Sequence, residues 1–268
     1  MKLYEVFVKL RGDMLAHIAF IVKKRLHREK EVFMEFDELR PGTRFVRSED
    51  GFRLGTDSVL LAAFTGTGRV RRFADLGCGA GVLTVLLLQK LPGATAVGIE
   101  IQPEAAALCR ANLAANGLTE RAEIRTGDLR VRGDLPEAGA FDLVVANPPY
   151  FPSGSGYTAP DEKRAAARDE RFCSLRDVCE AAAYLTRWGG TFALVHRPER
   201  LSELFCTMTA CGIEPKRLRM VCRTAETAPS LVLVEGRRGG KPGLTIEPPL
   251  ALYAPDGGDS AEIREIYR

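Results

Sequence analysis

The sequence is poor in the residues that build metal and disulfide sites. Its 268 residues include seven cysteines, an odd number with no Cys-x-x-Cys pair, and only three histidines. A structural zinc or iron–sulfur site therefore lacks ligands at suitable spacings, and no disulfide framework is indicated. This use of cysteine is typical of a reduced cytoplasmic protein, and we predict that the chain binds no metal.

Long apolar segments are also missing. The apolar run at residues 14–22 has nine residues and is interrupted by His17, so it is too short to cross a bilayer. A basic stretch follows it, rather than the small residues of a signal cleavage site. An amphipathic helix that touches RNA or a membrane surface is one interpretation. The interpretation that we favour is an N-terminal extension of unknown role at residues 1–33, with no membrane partner.

Neither positive nor negative charge is in large excess. The net charge is +3, with 46% hydrophobic and 27% charged residues, which is ordinary for a globular protein. A polyanionic partner is permitted, but the overall charge alone does not indicate one. The length from residue 34 to residue 268 suits one domain with a sizeable core.

From Met34 onward, predicted strands and helices alternate. The predicted strands are 73–76, 96–100, 122–125, 141–146 and 191–196, and the helices are 57–64, capped by Asp57, 82–90, 103–115, 175–188 and 199–210. This alternation predicts an α/β fold with a mostly parallel sheet and helices on both faces. Two last strands, 218–223 and 231–235, have no helix between them and predict an antiparallel edge hairpin. A Gly/Pro-rich tail, 239–255, follows them.

The segment Asn147-Pro148-Pro149-Tyr150 comes directly after the apolar strand 141–146. The prolines fix their own φ angles and donate no amide hydrogens, so the strand ends in a stiff corner with exposed acceptors. The lone pair of an amine conjugated to a ring is delocalised, so acceptors must bind its N–H groups before the lone pair can attack an electrophile. Tyr150 offers a surface on which a flat ring can stack. The alternative is an ordinary turn, because Asn-Pro and Pro-Pro are common turn dipeptides.

A second motif, Asp75-Leu76-Gly77-Cys78-Gly79-Ala80-Gly81, lies between the first strand of this alternation and a helix. Glycines allow a sharp turn and a close approach to a ligand. The spacing differs from the NAD fingerprint, which weakens a dinucleotide interpretation. We interpret Cys78 as a packing residue of the loop, not a nucleophile.

Acidic residues follow three successive strands. Asp75 is placed to bind an ammonium group, Glu100 to accept two ribose hydroxyls, and Asp128 to bind an adenine amino group. Each acid alone is more simply a helix cap or a solvated turn residue. Because all three come at carboxyl ends of strands, beside a glycine loop, they predict a nucleoside site at one edge of the sheet.

With these motifs, the chain resembles the class I S-adenosylmethionine-dependent methyltransferases and, more narrowly, the bacterial tRNA1(Val) adenine-N6 methyltransferase group. The narrower resemblance rests on residues 52–61, 147–151, 167–170, 194–198 and 234–242. It implies a Rossmann-like fold, S-adenosylmethionine as cofactor, and methylation of the N6 amine of an adenosine in tRNA, the purine 3′ of the anticodon in a valine tRNA. It also implies a cytoplasmic protein that is a monomer or a weak dimer.

The resemblance assigns roles to individual residues. It implies that Asn147 and Pro148 accept the two N6 hydrogens, with Pro149 stiffening the corner and Tyr150 stacking on the base. The implied cofactor residues are Thr56, Asp57, Asp75, Gly77, Cys78, Gly79, Gly81, Glu100, Ile101, Asp128, Leu129 and Asn147.

RNA contacts are predicted on two basic segments and beside the fifth predicted strand. The long segment 151–172 is interpreted as a lid over the base. The candidate RNA contacts are Lys163, Arg168, His196, Arg197, Arg237, Arg238 and Lys241. The alternative for each charge is a solvated surface.

Two other functions remain open at this point. Glutamine-N5 methyltransferases of release factors share the Asn-Pro-Pro-Tyr motif, because a glutamine amide poses the same lone-pair problem. They carry a helical N-terminal substrate domain, and residues 1–33 are too few for one. A non-catalytic nucleoside- or RNA-binding module with a decayed site is the second alternative. It would be marked by a lost acid or an altered Asn-Pro-Pro-Tyr motif, and neither is present.

Overall fold

The computed structural model describes residues 36–46, 55–66, 68–148 and 173–268. By contacts the chain divides into two compact units, Met1–Phe36 and Asp37–Arg268. All the described residues except Phe36 therefore belong to the second unit, and that unit carries the fold and the site.

The described residues alternate strands and helices. The strands are β1 (Phe36–Arg40), β2 (Thr43–Val46), β3 (Arg72–Leu76), β4 (Thr95–Glu100), β5 (Ala122–Thr126), β6 (Phe141–Ala146), β7 (Thr186–His196), β8 (Ile213–Cys222), β9 (Pro229–Arg238), β10 (Thr245–Ile246) and β11 (Leu250–Ala251). The helices are α1 (Thr56–Phe64), α2 (Val82–Lys90), α3 (Pro103–Ala115), α4 (Leu175–Leu185), α5 (Leu201–Ala210) and α6 (Ala261–Ile266).

Nine strands form one sheet in the order β10-β8-β9-β7-β6-β3-β4-β5, with β11 also pairing with β8. Strands β5, β4, β3, β6 and β7 are mutually parallel, whereas β9 is antiparallel to both β7 and β8. The strand order reverses between β3 and β6. In open sheets of this kind, ligands bind at the carboxyl ends of the strands next to such a reversal.

Helices cover both faces of the sheet. One apolar cluster packs α1, α2 and α3 against it, with members such as Leu61, Leu87 and Leu113. The other packs α4 and α5 on the opposite face, with members such as Leu185 and Met208. The predicted fold class, a Rossmann-like parallel sheet covered on both faces with an antiparallel hairpin, is therefore confirmed.

Several predicted boundaries were wrong. Helix α4 ends at Leu185 rather than at Trp188, because the backbone turns extended at Thr186 (φ −68°, ψ 129°), where β7 begins. Helix α1 begins at Thr56 after Gly55, so Asp57 lies in the first turn and does not cap it. The hairpin β8–β9 is longer than predicted, and β10 and β11 lie outside it. The β1–β2 hairpin and α6 were not predicted.

Candidate functional site

The loop between β3 and α2 depends on its three glycines. Gly77, Gly79 and Gly81 have φ angles of 67°, 53° and 82°, a region that residues with a Cβ occupy only at a cost. The amide of Gly77 donates to Ile99 O on β4 (2.8 Å), which fixes the start of the loop. A Cβ at Gly77 would meet nothing within 4 Å. The loop thus borders open space at the carboxyl end of β3.

Asp75 lies beneath this loop, with only 1% of its surface exposed. Its Oδ2 atom accepts a hydrogen bond from the Thr84 hydroxyl of α2 (2.6 Å). Burial raises the pKa of Asp75 to about 7, the Thr84 hydrogen bonds lower it, and the negative charge of Glu100 raises it again. This carboxylate is therefore costly to ionise until a cation comes close to it.

Glu100, at the end of β4, is held by two backbone amides. Its Oε2 atom accepts from Gly79 N and its Oε1 atom accepts from Gln102 N, each at 2.9 Å. The first contact joins the glycine loop to β4. Both carboxylate oxygens keep a second lone pair that can accept a further hydroxyl donor.

The end of β5 carries Asp128, which the sequence predicted to bind adenine. Its carboxylate accepts from the Arg130 guanidinium, with Nη2 at 2.6 Å from Oδ2, and from the Arg130 amide at 2.9 Å. These hydrogen bonds lower the pKa of Asp128. Leu129 is half-buried, and Ile101, after β4, leaves 43% of its surface exposed. The pairing with Arg130 was not predicted.

Asn147 stands at the end of β6, the strand next to β3 on the other side of the reversal. Its Nδ2 atom donates to the hydroxyl oxygen of Ser58 on α1 (3.0 Å). An amide that donates from its nitrogen on one side presents its carbonyl oxygen on the other. Pro148 follows and is buried. Ser58 was not predicted as a site residue, although it lies in segment 52–61.

Two cations hold α1 at its carboxyl end. The Lys90 ammonium donates to the carbonyls of Ala62 (2.8 Å), Ala63 (2.8 Å) and Thr65 (2.6 Å). Burial lowers the pKa of Lys90. Arg217 donates to Phe64 O (2.5 Å). Cations suit this position because the last carbonyls of a helix are unsatisfied and carry partial negative charge.

The other predicted α1 residues lie in its first turn. Thr56 is its first residue and is exposed, and Asp57 is half-exposed. The phenol of Tyr267, after α6, lies beside the Thr56 hydroxyl. The structure therefore places Thr56 and Asp57 at the end of α1 that carries Ser58.

Cys78 is buried in the glycine loop. Its thiol hydrogen-bonds with Cys109 of α3, and this contact and burial raise the pKa of Cys78 well above its usual value. A thiol that stays protonated is a poor nucleophile. The predicted packing role of Cys78 agrees with this environment.

The predicted RNA contacts do not form one surface. His196 is 0% exposed, burial lowers its pKa to about 4, and Arg197 N donates to its Nδ1 atom (2.8 Å). The prediction of an RNA contact at His196 was therefore wrong, because the side chain is enclosed. Arg197 lies at the same edge as Asn147 and is half-exposed. Its guanidinium donates to Ser230 O (2.9 Å).

Arg237 and Arg238 end β9, which runs antiparallel to β7. They and Lys241 consequently lie at the edge of the sheet opposite to Asn147. Four predicted site residues, Pro149, Tyr150, Lys163 and Arg168, lie outside the described residues, as does the predicted lid 151–172.

Neither a metal site nor a membrane span is found among the described residues. No group of three or more His, Cys, Asp or Glu side chains in ranges 36–46, 55–66, 68–148 and 173–268 is arranged to hold a metal ion. Within the same ranges, no helix has both the length and the apolar character that a bilayer crossing requires.

Comparison with known proteins identifies relatives. A family model described as "Methyltransferase small domain" matches residues 44–162. The tRNA1(Val) (adenine(37)-N6)-methyltransferase of Porphyromonas gingivalis (strain ATCC 33277) is 35% identical over 191 residues, which are 69% of this chain and 74% of the relative. The enzyme of the same name from Tolumonas auensis is 32% identical over 211 residues, 78% of this chain and 86% of the relative.

A solved structure supports the fold. The crystal structure of a predicted O-methyltransferase from Agrobacterium tumefaciens has a TM-score of 0.65 and 22% identity, and the match covers 79% of this chain and 95% of that one. At this identity the likeness concerns the fold alone.

Proposed function

Because this chain belongs to the tRNA1(Val) (adenine(37)-N6)-methyltransferase family, we propose that it methylates the exocyclic N6 amine of an adenosine in tRNA. The names of the relatives indicate adenine 37 of a valine tRNA as the target. The observation that carries the proposal is the position of Asn147 at the strand-order reversal, directly after the Leu76–Ala146 pair that joins β3 to β6 and beyond which the glycine loop begins.

The residues around the glycine loop fit S-adenosylmethionine. The open space at Gly77 gives room for a ligand against the loop backbone. The buried Asp75 carboxylate offers a negative charge to balance a cationic ligand, and Glu100 offers two positioned oxygens for ribose hydroxyls. Ile101 offers an exposed apolar surface beside them, and Asp128 a carboxylate for the adenine amino group. When bound, S-adenosylmethionine supplies an electrophilic methyl carbon.

The chemistry at the amine is assigned to the corner after β6. The lone pair of an adenine N6 amine is delocalised into the ring, so the amine is a weak nucleophile. Acceptance of its two hydrogens by Asn147 Oδ1 and the Pro148 carbonyl turns the lone pair away from the ring. Tyr150 stacks on the base and holds it in this position. No side chain has to remove a proton before transfer, so most of the acceleration comes from positioning.

Two measurements test this function. Nucleosides from tRNA of a strain without the gene are expected to lack N6-methyladenosine, which mass spectrometry detects. In vitro, the purified chain is expected to transfer labelled methyl groups to tRNA and not to a release factor. Label on the release factor alone would instead support the glutamine-N5 activity. Binding of the cofactor with no transfer to either substrate would support a non-catalytic module. We also propose a cytoplasmic location, where tRNA is the available substrate.

A further inference from the structure

Trp188 is the most exposed large apolar side chain in the described part of the chain. It lies near the start of β7, at the edge of the sheet opposite to Asn147, and 75% of its surface is exposed. Most of this indole therefore gains nothing from folding. The open ring offers a large stacking surface to another molecule.

One side of the Trp188 indole contacts the rest of the protein. Gly239, after β9, has a φ angle of 66°, and a Cβ built on it would overlap the six-membered ring of Trp188. The ring therefore packs on the glycine backbone. Arg187 fixes the strand beside it, because its guanidinium donates to Asp142 Oδ1 (2.6 Å) and to Trp188 O (3.3 Å). The side chain is thus supported on one face and open elsewhere.

The chain segments that contain Trp188 and Gly239, and the residues bonded to or paired with them, are mostly basic. Arg238, next to Gly239, donates to Thr186 O (2.5 Å), which holds the end of β9 against β7. The Lys216 ammonium donates to Lys241 O (3.0 Å). The basic residues are Arg187, Lys216, Arg237, Arg238 and Lys241, and the acidic ones are Asp142 and Glu214.

Two of these cations are available to a ligand. Arg237 and Lys241 are both exposed, and in the described ranges neither forms an ion pair. Glu214 lies opposite Arg237 in the β8–β9 register but is not paired with it. Arg187 and Arg238, in contrast, are engaged within the protein. Phosphates are the ligands that two unpaired exposed cations beside an open aromatic ring fit best.

We propose that Trp188, Arg237 and Lys241 form a second contact surface for the tRNA substrate, called the Trp188 surface below. The indole stacks on an unpaired nucleotide, and the two cations bind the flanking phosphates. The inference rests on the proposed function, since it assigns a second part of the same substrate. Trp188 lies in the register shift at the start of β7, where Thr186 pairs with Phe141. Asn147 is six positions further along the neighbouring strand than Phe141, which corresponds to about 20 Å. The nucleotide bound at Trp188 is therefore not the target adenosine but another nucleotide of the tRNA.

The chain contains a single tryptophan, so its tryptophan emission, excited selectively over that of the tyrosines, reports on this ring alone. Titration of the full chain with unmodified valine tRNA is expected to quench the emission, because a stacked base contacts the indole. The affinity is expected to fall steeply between about 50 and about 200 mM salt. Unchanged emission at saturating tRNA would overturn the proposal.

Variants separate this surface from the catalytic edge. Trp188→Ala is expected to weaken binding of full-length tRNA roughly tenfold and to raise KM by the same factor, with kcat unchanged. Trp188→Phe keeps a stacking ring and is expected to retain most of the affinity. Arg237→Ala and Lys241→Ala are each expected to lower the salt slope by about 1. Arg264→Ala, at an exposed arginine of α6, is the matched control and is expected to change nothing.

A short substrate supplies the remaining control. An RNA fragment limited to the target adenosine and its two neighbours is too small to reach both edges, so wild type and Trp188→Ala are expected to have equal KM for it. An equal loss with both substrates would place the contact elsewhere and overturn the proposal. Dissociation of a wild-type dimer by Trp188→Ala, with tRNA binding unchanged, would identify a self-association surface instead. Absence of methyl transfer by wild type would reject the proposed function. The fluorescence titration does not depend on methyl transfer and would still show whether the Trp188 surface binds tRNA.

Discussion

The amide nitrogen of Asn147 donates a 3.0 Å hydrogen bond to the hydroxyl oxygen of Ser58, a residue 89 positions earlier in the chain. The bond joins the end of β6 to the first turns of α1. Because it occupies the Asn147 nitrogen, it sets which side of the amide presents the oxygen. Ser58 thereby acts as a positioning residue for the group proposed to accept an N6 hydrogen.

Replacement of Ser58 by alanine is expected to lower kcat by roughly fivefold to tenfold, the effect of losing one hydrogen bond of ordinary strength. Cofactor affinity, measured by calorimetry, is expected to remain unchanged. Ser58→Thr keeps the hydroxyl and should restore most of the rate. In an Asn147→Ala background, Ser58→Ala should have no further effect. Additive losses would mean that Ser58 acts independently of Asn147.

Asn147→Ala is expected to lower kcat by about 10²–10³, because it removes one positioned acceptor from the reacting amine. Cofactor affinity should survive, since the glycine loop and Glu100 are untouched. Single-turnover methylation of tRNA measures the chemical step directly. A variant within tenfold of wild type would remove Asn147 from its proposed role.

Asp75 is expected to make the free protein less stable as pH rises. Its pKa is about 7 in the folded protein and 3.8 in the unfolded chain. The unfolded chain thus releases this proton first, and stability falls between about pH 4 and pH 7, by about 4 kcal/mol. Asp75→Asn should abolish this slope and should be more stable than wild type at pH 8. Urea unfolding at several pH values measures the difference. Equal slopes in both proteins would show that Asp75 does not titrate in this range.

The glycine loop offers a matched pair of substitutions. Gly77→Ala places a methyl group in open space, so the variant should lose only about 1–2 kcal/mol of stability from the positive φ but should bind the cofactor poorly. At Gly81 a Cβ would lie 2.5 Å from Cys109 Sγ, so Gly81→Ala should lose more stability. Thermal melts compare the two variants. Adding Cys109→Ala should recover part of the loss at Gly81 and none at Gly77.

Local signals explain which elements the sequence predicted well. The glycine loop starts α2 at Val82, and Pro103 is the first residue of α3, where its fixed φ is favourable. The apolar, β-branched run 141–146 matches β6 to the residue. The acids Asp75, Glu100 and Asp128 were placed at one edge because parallel strands share their carboxyl ends.

Long-range contacts explain what the sequence did not reveal. No local pattern links Ser58 to Asn147 or Lys90 to the end of α1, since both contacts form only after the sheet brings distant segments together. The helix predicted over residues 175–188 was expected to run up to Gly189 and Gly190, but these glycines lie within β7, beside a register shift in its pairing with β6. His196 was predicted as an RNA contact because segment 194–198 resembles the family, and its burial excludes that role.

Arg217 does more than hold the end of α1. The same guanidinium pairs with Glu235 on β9 (3.1 Å) and with Glu247 beyond β10 (2.6 Å). The outermost strands and the helix that presents Ser58 therefore share one cation. Substitution of Glu235 or Glu247 would therefore weaken the hold of Arg217 on the carboxyl end of α1, although both acids lie away from β6. Such a variant is expected to have a lower kcat and a nearly normal melting temperature.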